Sequence, residues 1–281
     1  MRTLKTILCI ATVLSVLAFA LAIYYTQFYK DAVPPEIHMD AEVITVSAAD
    51  GDEALLRGVT ATDNRDGDIT GTVLVDGVSQ LTGPNSARVR YIVFDQVENY
   101  ATASRTVVYT DYEAPRISIL QPLIYNVGDT IALRGRVIAR DCVEGNITSK
   151  IRISSQDLSN RSSGVYHLAI WVMNKLGDVS TVTVPIIVRE DDPEAPIVEL
   201  TKYLVYLERG ESFDPQSYFE AYYDSADASP RRFYGHLEVT GEVDTDTPGT
   251  YEVIYSATNS AGLTGQAILT VVVEEKMEVP S

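Results

Sequence analysis

The sequence predicts an all-β chain: three tandem β-sandwiches behind one N-terminal hydrophobic helix. Three observations predict it. A loop motif recurs at a fixed distance, strand-and-turn segments repeat after each Pro-opened boundary, and residues 7–23 form the one long apolar run. The motif is Val59–Thr70, VTATDNRDGDIT, and its second copy is Val137–Thr148, VIARDCVEGNIT. They align without a gap, Asp63 with Asp141, Asp66 with Glu144, Gly67 with Gly145 and Thr70 with Thr148. Recurrence at that distance signals tandem copies of one small unit of about 80 residues.

The N-terminal element, residues 1–30, comes first. Arg2 and Lys5 precede the apolar run, and Tyr24, Tyr25, Phe28 and Tyr29 follow it. The run is long for a signal core and near the lower limit for crossing a bilayer. The aromatics resemble an interfacial belt, and the basic end favours the cytoplasmic side. The expectation is a single-pass transmembrane helix at the cell membrane, embedded through residues 7–23, with the repeats extracytoplasmic. Ala20-Leu21-Ala22 also fits a small-x-small cleavage site. Secretion after signal cleavage near Ala22 is therefore the alternative.

The repeats follow in order. Repeat one spans 35–112 and ends in two strands, Ala87–Phe94 and Ala101–Thr110, joined by a turn over 95–100. Repeat two, 113–190, opens at Glu113-Ala114-Pro115 and closes with the hairpin of Val165–Met173 and Asp178–Val188. Repeat three, 194–275, opens at Glu194-Ala195-Pro196 and closes with Tyr251–Thr258 and Leu263–Val273. Gly177 and Gly262 end the latter two turns, where a glycine supplies positive φ. Alternation in the last hairpin points Tyr251, Val253, Tyr255 and Ala257 inward. The links at 111–115 and 190–196 are short, acidic and end in Pro, so a semi-rigid string of separately folded repeats is expected.

Composition limits the partners. The chain of 281 residues has a formal charge of −17 and 17 Tyr against 6 Phe and 1 Trp. An acidic body repels nucleic acid and anionic lipid headgroups. Of the two cysteines, Cys9 lies in the apolar run and Cys142 in repeat two, so the body has no pair for an internal disulfide.

The Thr-Asp-x-x-Asp-Gly-Asp-Ile-Thr of Thr62–Thr70 resembles the bacterial Ig-like domain first noted in a pesticidal crystal protein. So does the segment from Pro248-Gly249-Thr250-Tyr251 to Ala261-Gly262 with its Val-rich last strand. Hyalin-type repeats have a similar layout. The resemblance covers residues 35 to 275. It implies Ig-like sandwiches in tandem on an exported bacterial protein, and it implies no chemistry. Repeat two departs at Cys142, Glu144 and Asn146, with Met173 read opposite Asp95. Repeat three replaces the loop with Tyr222–Arg232.

Two readings apply to the acidic loop. Asp63, Asp66, Asp68 and Asp95 offer hard oxygens of the kind calcium takes. The blander reading, and the expectation here, is that these side chains cap the loop by accepting backbone N–H groups, without metal or cofactor. His38, His167 and His236 fall in different repeats without metal-ligand spacing. No nucleophile elbow or phosphate-binding loop appears, so no catalytic residue and no enzyme is expected. Trp171 is expected in the core of repeat two. The aromatic run Tyr203, Tyr206, Tyr218, Phe219, Tyr222, Tyr223, Phe233 and Tyr234 is dense, and Arg231 and Arg232 interrupt it. Tyr222, Tyr223, Arg231, Arg232, Phe233 and Tyr234 are the candidate binding face. The function expected is a non-catalytic cell-surface rod for display, spacing or adhesion, with a protein or glycan ligand. A carbohydrate-recognition accessory protein of an envelope complex is the alternative.

Overall fold

The computed structural model describes residues 2–28, 31–154, 158–225, 228–231 and 237–275. Helix α1 (Arg2–Phe28) opens the chain. Within Thr3–Tyr25 an 18-residue window reaches a mean hydropathy of 2.6, and none of that window is buried. At 1.5 Å per residue such a helix reaches about 35 Å, enough to cross a bilayer. A signal sequence has the same character.

Beyond α1 the chain is built from strands. It divides into two compact units, Met1–Asp111 and Tyr112–Ser281. The first holds β1 (Glu36–Met39), β2 (Val43–Val46), the one-turn helix α2 (Asp52–Leu55), β3 (Val59–Asp63), β4 (Gly67–Asp68), β5 (Leu74–Val78), β6 (Ser86–Phe94) and β7 (Tyr100–Tyr109). They form two sheets, ordered β1-β3-β4 and β2-β7-β6-β5. The strands alternate as their sequence demands: in β6, Ala87, Val89, Tyr91 and Val93 are buried, and the residues between them are not. The core also takes in a charge. Arg105 is buried, with its Nε donating to the Tyr91 hydroxyl at 2.8 Å and its Nη2 to the carbonyls of Leu55 and Arg57. Such a group is tolerable in a core because its donors are used.

The second unit repeats the scheme twice. β8 (Arg116–Ile119), β9 (Ile124–Asn126), β10 (Val137–Asp141), β11 (Gly145–Asn146), β12 (Arg152–Ser154), β13 (Gly164–Met173) and β14 (Val179–Arg189) form the sheets β11-β10-β8 and β12-β13-β14-β9. Then β15 (Ile197–Leu200), β16 (Leu204–Glu208), β17 (Phe219–Tyr223), β18 (Glu238–Thr240), β19 (Gly249–Thr258) and β20 (Thr264–Glu274) form β15-β17 and β16-β20-β19-β18. Val253, Tyr255 and Ala257 are buried and Tyr251 is half-buried, following the alternation.

Two expectations change here. Repeats two and three were expected to fold separately, yet their buried residues form one continuous cluster that runs from Ile117 to Val271. Polar contacts reinforce the joint. Arg116 pairs with Glu274 at 2.6 Å and lies over the Tyr206 ring, and His167 Nε2 meets Glu252 at 3.0 Å. Trp171 was expected in the core but is 37% exposed. Leu168, Ile170 and Val172 take the inward positions of β13, so the two-residue period turns Trp171 outward.

Candidate functional site

Three loops meet in the first repeat. β3 ends at Asp63, whose Oδ1 accepts from the backbone N–H groups of Arg65 (2.8 Å) and Asp66 (2.9 Å). These bonds hold the Asp63 carboxyl below its ordinary range. Gly67, at φ 71°, lets the chain reverse into β4. Asp68 Oδ1 then accepts from Thr70 N–H at 3.0 Å. The β6–β7 hairpin supplies Asp95, whose Oδ1 accepts from Val97 N–H (2.9 Å) and Asn99 N–H (2.7 Å). The Asn99 side-chain amide donates to Asp95 Oδ2 at 2.6 Å. The segment before β1 supplies Asp31, whose Oδ1 accepts from Val33 N–H at 3.1 Å. Arg65 Nε lies 3.9 Å from Asp31 Oδ2.

One carboxylate oxygen each from Asp31, Asp63 and Asp95 lies within 4.8 Å of the other two, and all three residues are buried. Of the four acids singled out by sequence, the structure therefore brings two into this cluster, Asp63 and Asp95. Asp66 instead ties the loops together, its Oδ2 accepting from Gln96 N–H at 2.8 Å. Asp68 serves its own turn. Asp31 was missed. A signal for it existed: an Asp stands four residues before the opening Pro of every repeat, at Asp31, Asp111 and Asp192.

The same position differs between repeats. Strand ends place Met173 opposite Phe94 and Asn174 opposite Asp95, which corrects the sequence pairing of Met173 with Asp95. In repeat two Asp141 Oδ1 caps Val143 and Glu144, as Asp63 caps its turn. Its Oδ2, however, accepts from the Asn174 amide at 2.9 Å. That amide also donates to the Tyr112 hydroxyl at 2.9 Å, which in turn donates to Asp178 at 2.8 Å. Burial and the Asp178 carboxylate push the Tyr112 hydroxyl well above its ordinary pKa. In repeat three Asn259 donates to the carbonyls of Glu194 (2.7 Å) and Asp224 (3.2 Å).

Of the candidate binding face, Arg232, Phe233 and Tyr234 lie outside the described residues, as does His236. Tyr222 is buried, and Tyr223 is half-buried with its hydroxyl on Glu199 at 3.1 Å. Arg231 is exposed, pairs with Asp224 and lies over the Tyr222 ring. Tyr203 is buried, and Tyr206, Tyr218 and Phe219 are half-buried against the core. The described aromatics are thus mainly structural. Burial raises the Cys142 thiol above its ordinary pKa and its Sγ donates to the Glu113 carbonyl at 3.1 Å, a setting that disfavours the thiolate.

Residues 201–273 match the family of the bacterial surface protein Ig-like domain. A stretch of 125 residues is 29% identical to the pesticidal crystal protein Cry22Aa of Bacillus thuringiensis, covering 44% of this chain and 16% of that protein. Solved structures also align. The M60 catalytic domain with CBM51-1 and CBM51-2 of Clostridium perfringens ZmpB does so at TM-score 0.25 and 14% identity, over 88% of this chain and 31% of that one. The lipoprotein BT2262 from Bacteroides thetaiotaomicron aligns at TM-score 0.24 and 13% identity, over 56% and 98%. Mouse cadherin-23 EC22-24 aligns at TM-score 0.22 and 15% identity, over 86% and 99%. The chain is thus an all-β protein with an N-terminal apolar helix, and its third repeat is similar to Ig-like domains of bacterial surface proteins.

Proposed function

We propose that this is a non-catalytic, membrane-anchored cell-surface protein whose domains, at 35–112, 113–190 and 194–275, display or space a binding surface, with adhesion as the outcome. The match of residues 201–273 to a bacterial surface domain carries the reading. The exposed apolar helix ahead of it supplies the anchor, and the aromatics that follow suit an interface. The described side chains show capped turns and closed cores, an arrangement suited to a scaffold. Membrane fractions of a bacterium expressing the full chain test the proposal. The expected result is a peptide that joins Tyr24 and Tyr25 to residues before Ala22, with residues 31–281 digested by protease added outside intact spheroplasts. A mature N-terminus at Ile23 would remove the anchor. Protection of the repeats from external protease would overturn the surface reading.

A further inference from the structure

We infer that Asp31, Asp63 and Asp95 form a binding site for a hard divalent cation, calcium above all. Three buried carboxylates converge within 4.8 Å. Convergence alone is common among acidic loops, but a second observation points to a ligand. Asp63 is only 8% exposed, and its Oδ2 has no hydrogen-bond partner among the described residues. A buried carboxylate oxygen left unpaired is costly, so structures normally satisfy it.

The second repeat shows what that oxygen faces. There the matching atom, Asp141 Oδ2, receives the Asn174 amide. Asn174 occupies the position of Asp95, so Asp63 Oδ2 points at the Asp95 side. Exchange of Asn for Asp replaces a donor with a second acceptor. Turn capping is unaffected by that exchange, because Asp95 Oδ1 still receives its two backbone N–H groups. What the exchange removes is the donor between the loops, and what it adds is a negative charge. Arg65 forms a loose ion pair with Asp31 Oδ2 at 3.9 Å and favours the ionised Asp63, but Asp63 Oδ2 still lacks a hydrogen-bond donor among the described residues.

A cation bound by these oxygens supplies what the amide supplies in repeat two. The donors are all oxygen, with no thiolate or imidazole in the cluster, which selects calcium, magnesium or manganese over zinc or copper. Calcium tolerates irregular loop ligands and fills its remaining positions with water and carbonyls, whereas magnesium demands a near-ideal octahedron. Bound at this point, the ion would tie the segment before β1 to both loops of the first repeat. Asp66 and Asp68 stay outside the ligand set because their carboxylates lie outside the converging cluster, turned to Gln96 N–H and Thr70 N–H.

The test uses the full-length chain in detergent, stripped with chelator and titrated calorimetrically with calcium chloride, then with magnesium chloride. The expected result is a single calcium equivalent per chain, bound more tightly than magnesium, and a melting temperature of the first unit that rises with calcium. Asp95→Asn, which removes one ligand charge and keeps the Oδ1 turn caps while giving up the Asn99 amide bond to Oδ2, should fold and weaken calcium binding by roughly tenfold or more, since affinity follows ligand charge count. Asp68→Asn should bind as the parent does. Absence of calcium binding by the parent at low ionic strength would overturn the inference. So would an Asp95→Asn variant that folds and binds undiminished, or an Asp68→Asn variant that loses binding.

Discussion

The loop clusters of repeats one and two share their backbone caps and differ at the head of the hairpin, Asp95 against Asn174, and four residues on, Asn99 against Asp178. Position 174 holds an amide, whose nitrogen serves Asp141 and Tyr112 while its oxygen caps Leu176 and Asp178. Position 95 holds a carboxylate, whose Oδ1 performs the same capping but which has no donor for Asp63. Repeat two is therefore self-sufficient, and repeat three follows it with Asn259. Repeat one leaves Asp63 Oδ2 without a donor among the described residues, the position the inferred cation would fill. The fold tolerates either solution because the backbone caps, which set the loop path, are independent of the atom that differs.

The strongest way to break this comparison is to give repeat two the chemistry of repeat one. Asn174→Asp removes the donor to Asp141 and Tyr112 and buries a second carboxylate beside the first. In chelator the second unit should lose about 3 kcal/mol, the cost of an unpaired buried polar or charged group. Thermal melts of the full chain check this, and an unchanged second unit would mean that the amide bonds contribute nothing there. The opposite exchange, Asp95→Asn, should raise the melting temperature of the first unit by a few degrees in chelator and shift its response to roughly tenfold higher calcium.

A smaller effect concerns the turn itself. Glu98 has φ 69° where Gly177 and Gly262 have 77° and 80°. A side chain in the left-handed region is strained, so Glu98→Gly should stabilise the first unit by about 1 kcal/mol in urea denaturation. A loss of stability would mean that the Glu98 side chain makes an offsetting contact.

The pH response follows from Asp63. Its folded pKa lies below the ordinary 3.8 because two backbone N–H groups bond the ionised form. The stability this contributes is therefore complete above pH 3.8 and lost as pH falls through the lower folded value. Acid melts of the first unit should show that decline, and Asp63→Asn should flatten it.

Much of this fold was legible as sequence. Turn residues and strand alternation located the closing hairpins to within a residue or two, because a period of two and a positive-φ glycine are local properties. The shared core of repeats two and three was not legible. It depends on residues from both sides of the linker, among them Ile119, Leu123 and Tyr203 around one small cavity, and nothing local distinguishes such residues from any strand residue. Asp63 and Asp95 were visible as loop acids, but which acids converge is a matter of tertiary placement. Asp31 stands ahead of the first repeat, and its recurrence before each opening Pro is a pattern of one residue, too slight to mark a site. Trp171 was misplaced by its hydrophobicity, although the alternation of Leu168, Ile170 and Val172 already assigned it to the outer face.

The central claim is that repeat one takes a cation where repeat two takes an amide. Amide hydrogen exchange on the full-length chain tests it within one molecule, with chelator in one sample and calcium chloride in the other. The N–H groups of Arg65, Asp66, Val97 and Asn99 report on repeat one, and those of Val143, Glu144, Leu176 and Asp178 report on repeat two. The account predicts that calcium slows exchange in the first set and leaves the second unchanged. Equal slowing in both sets, or no slowing in the first, would contradict it.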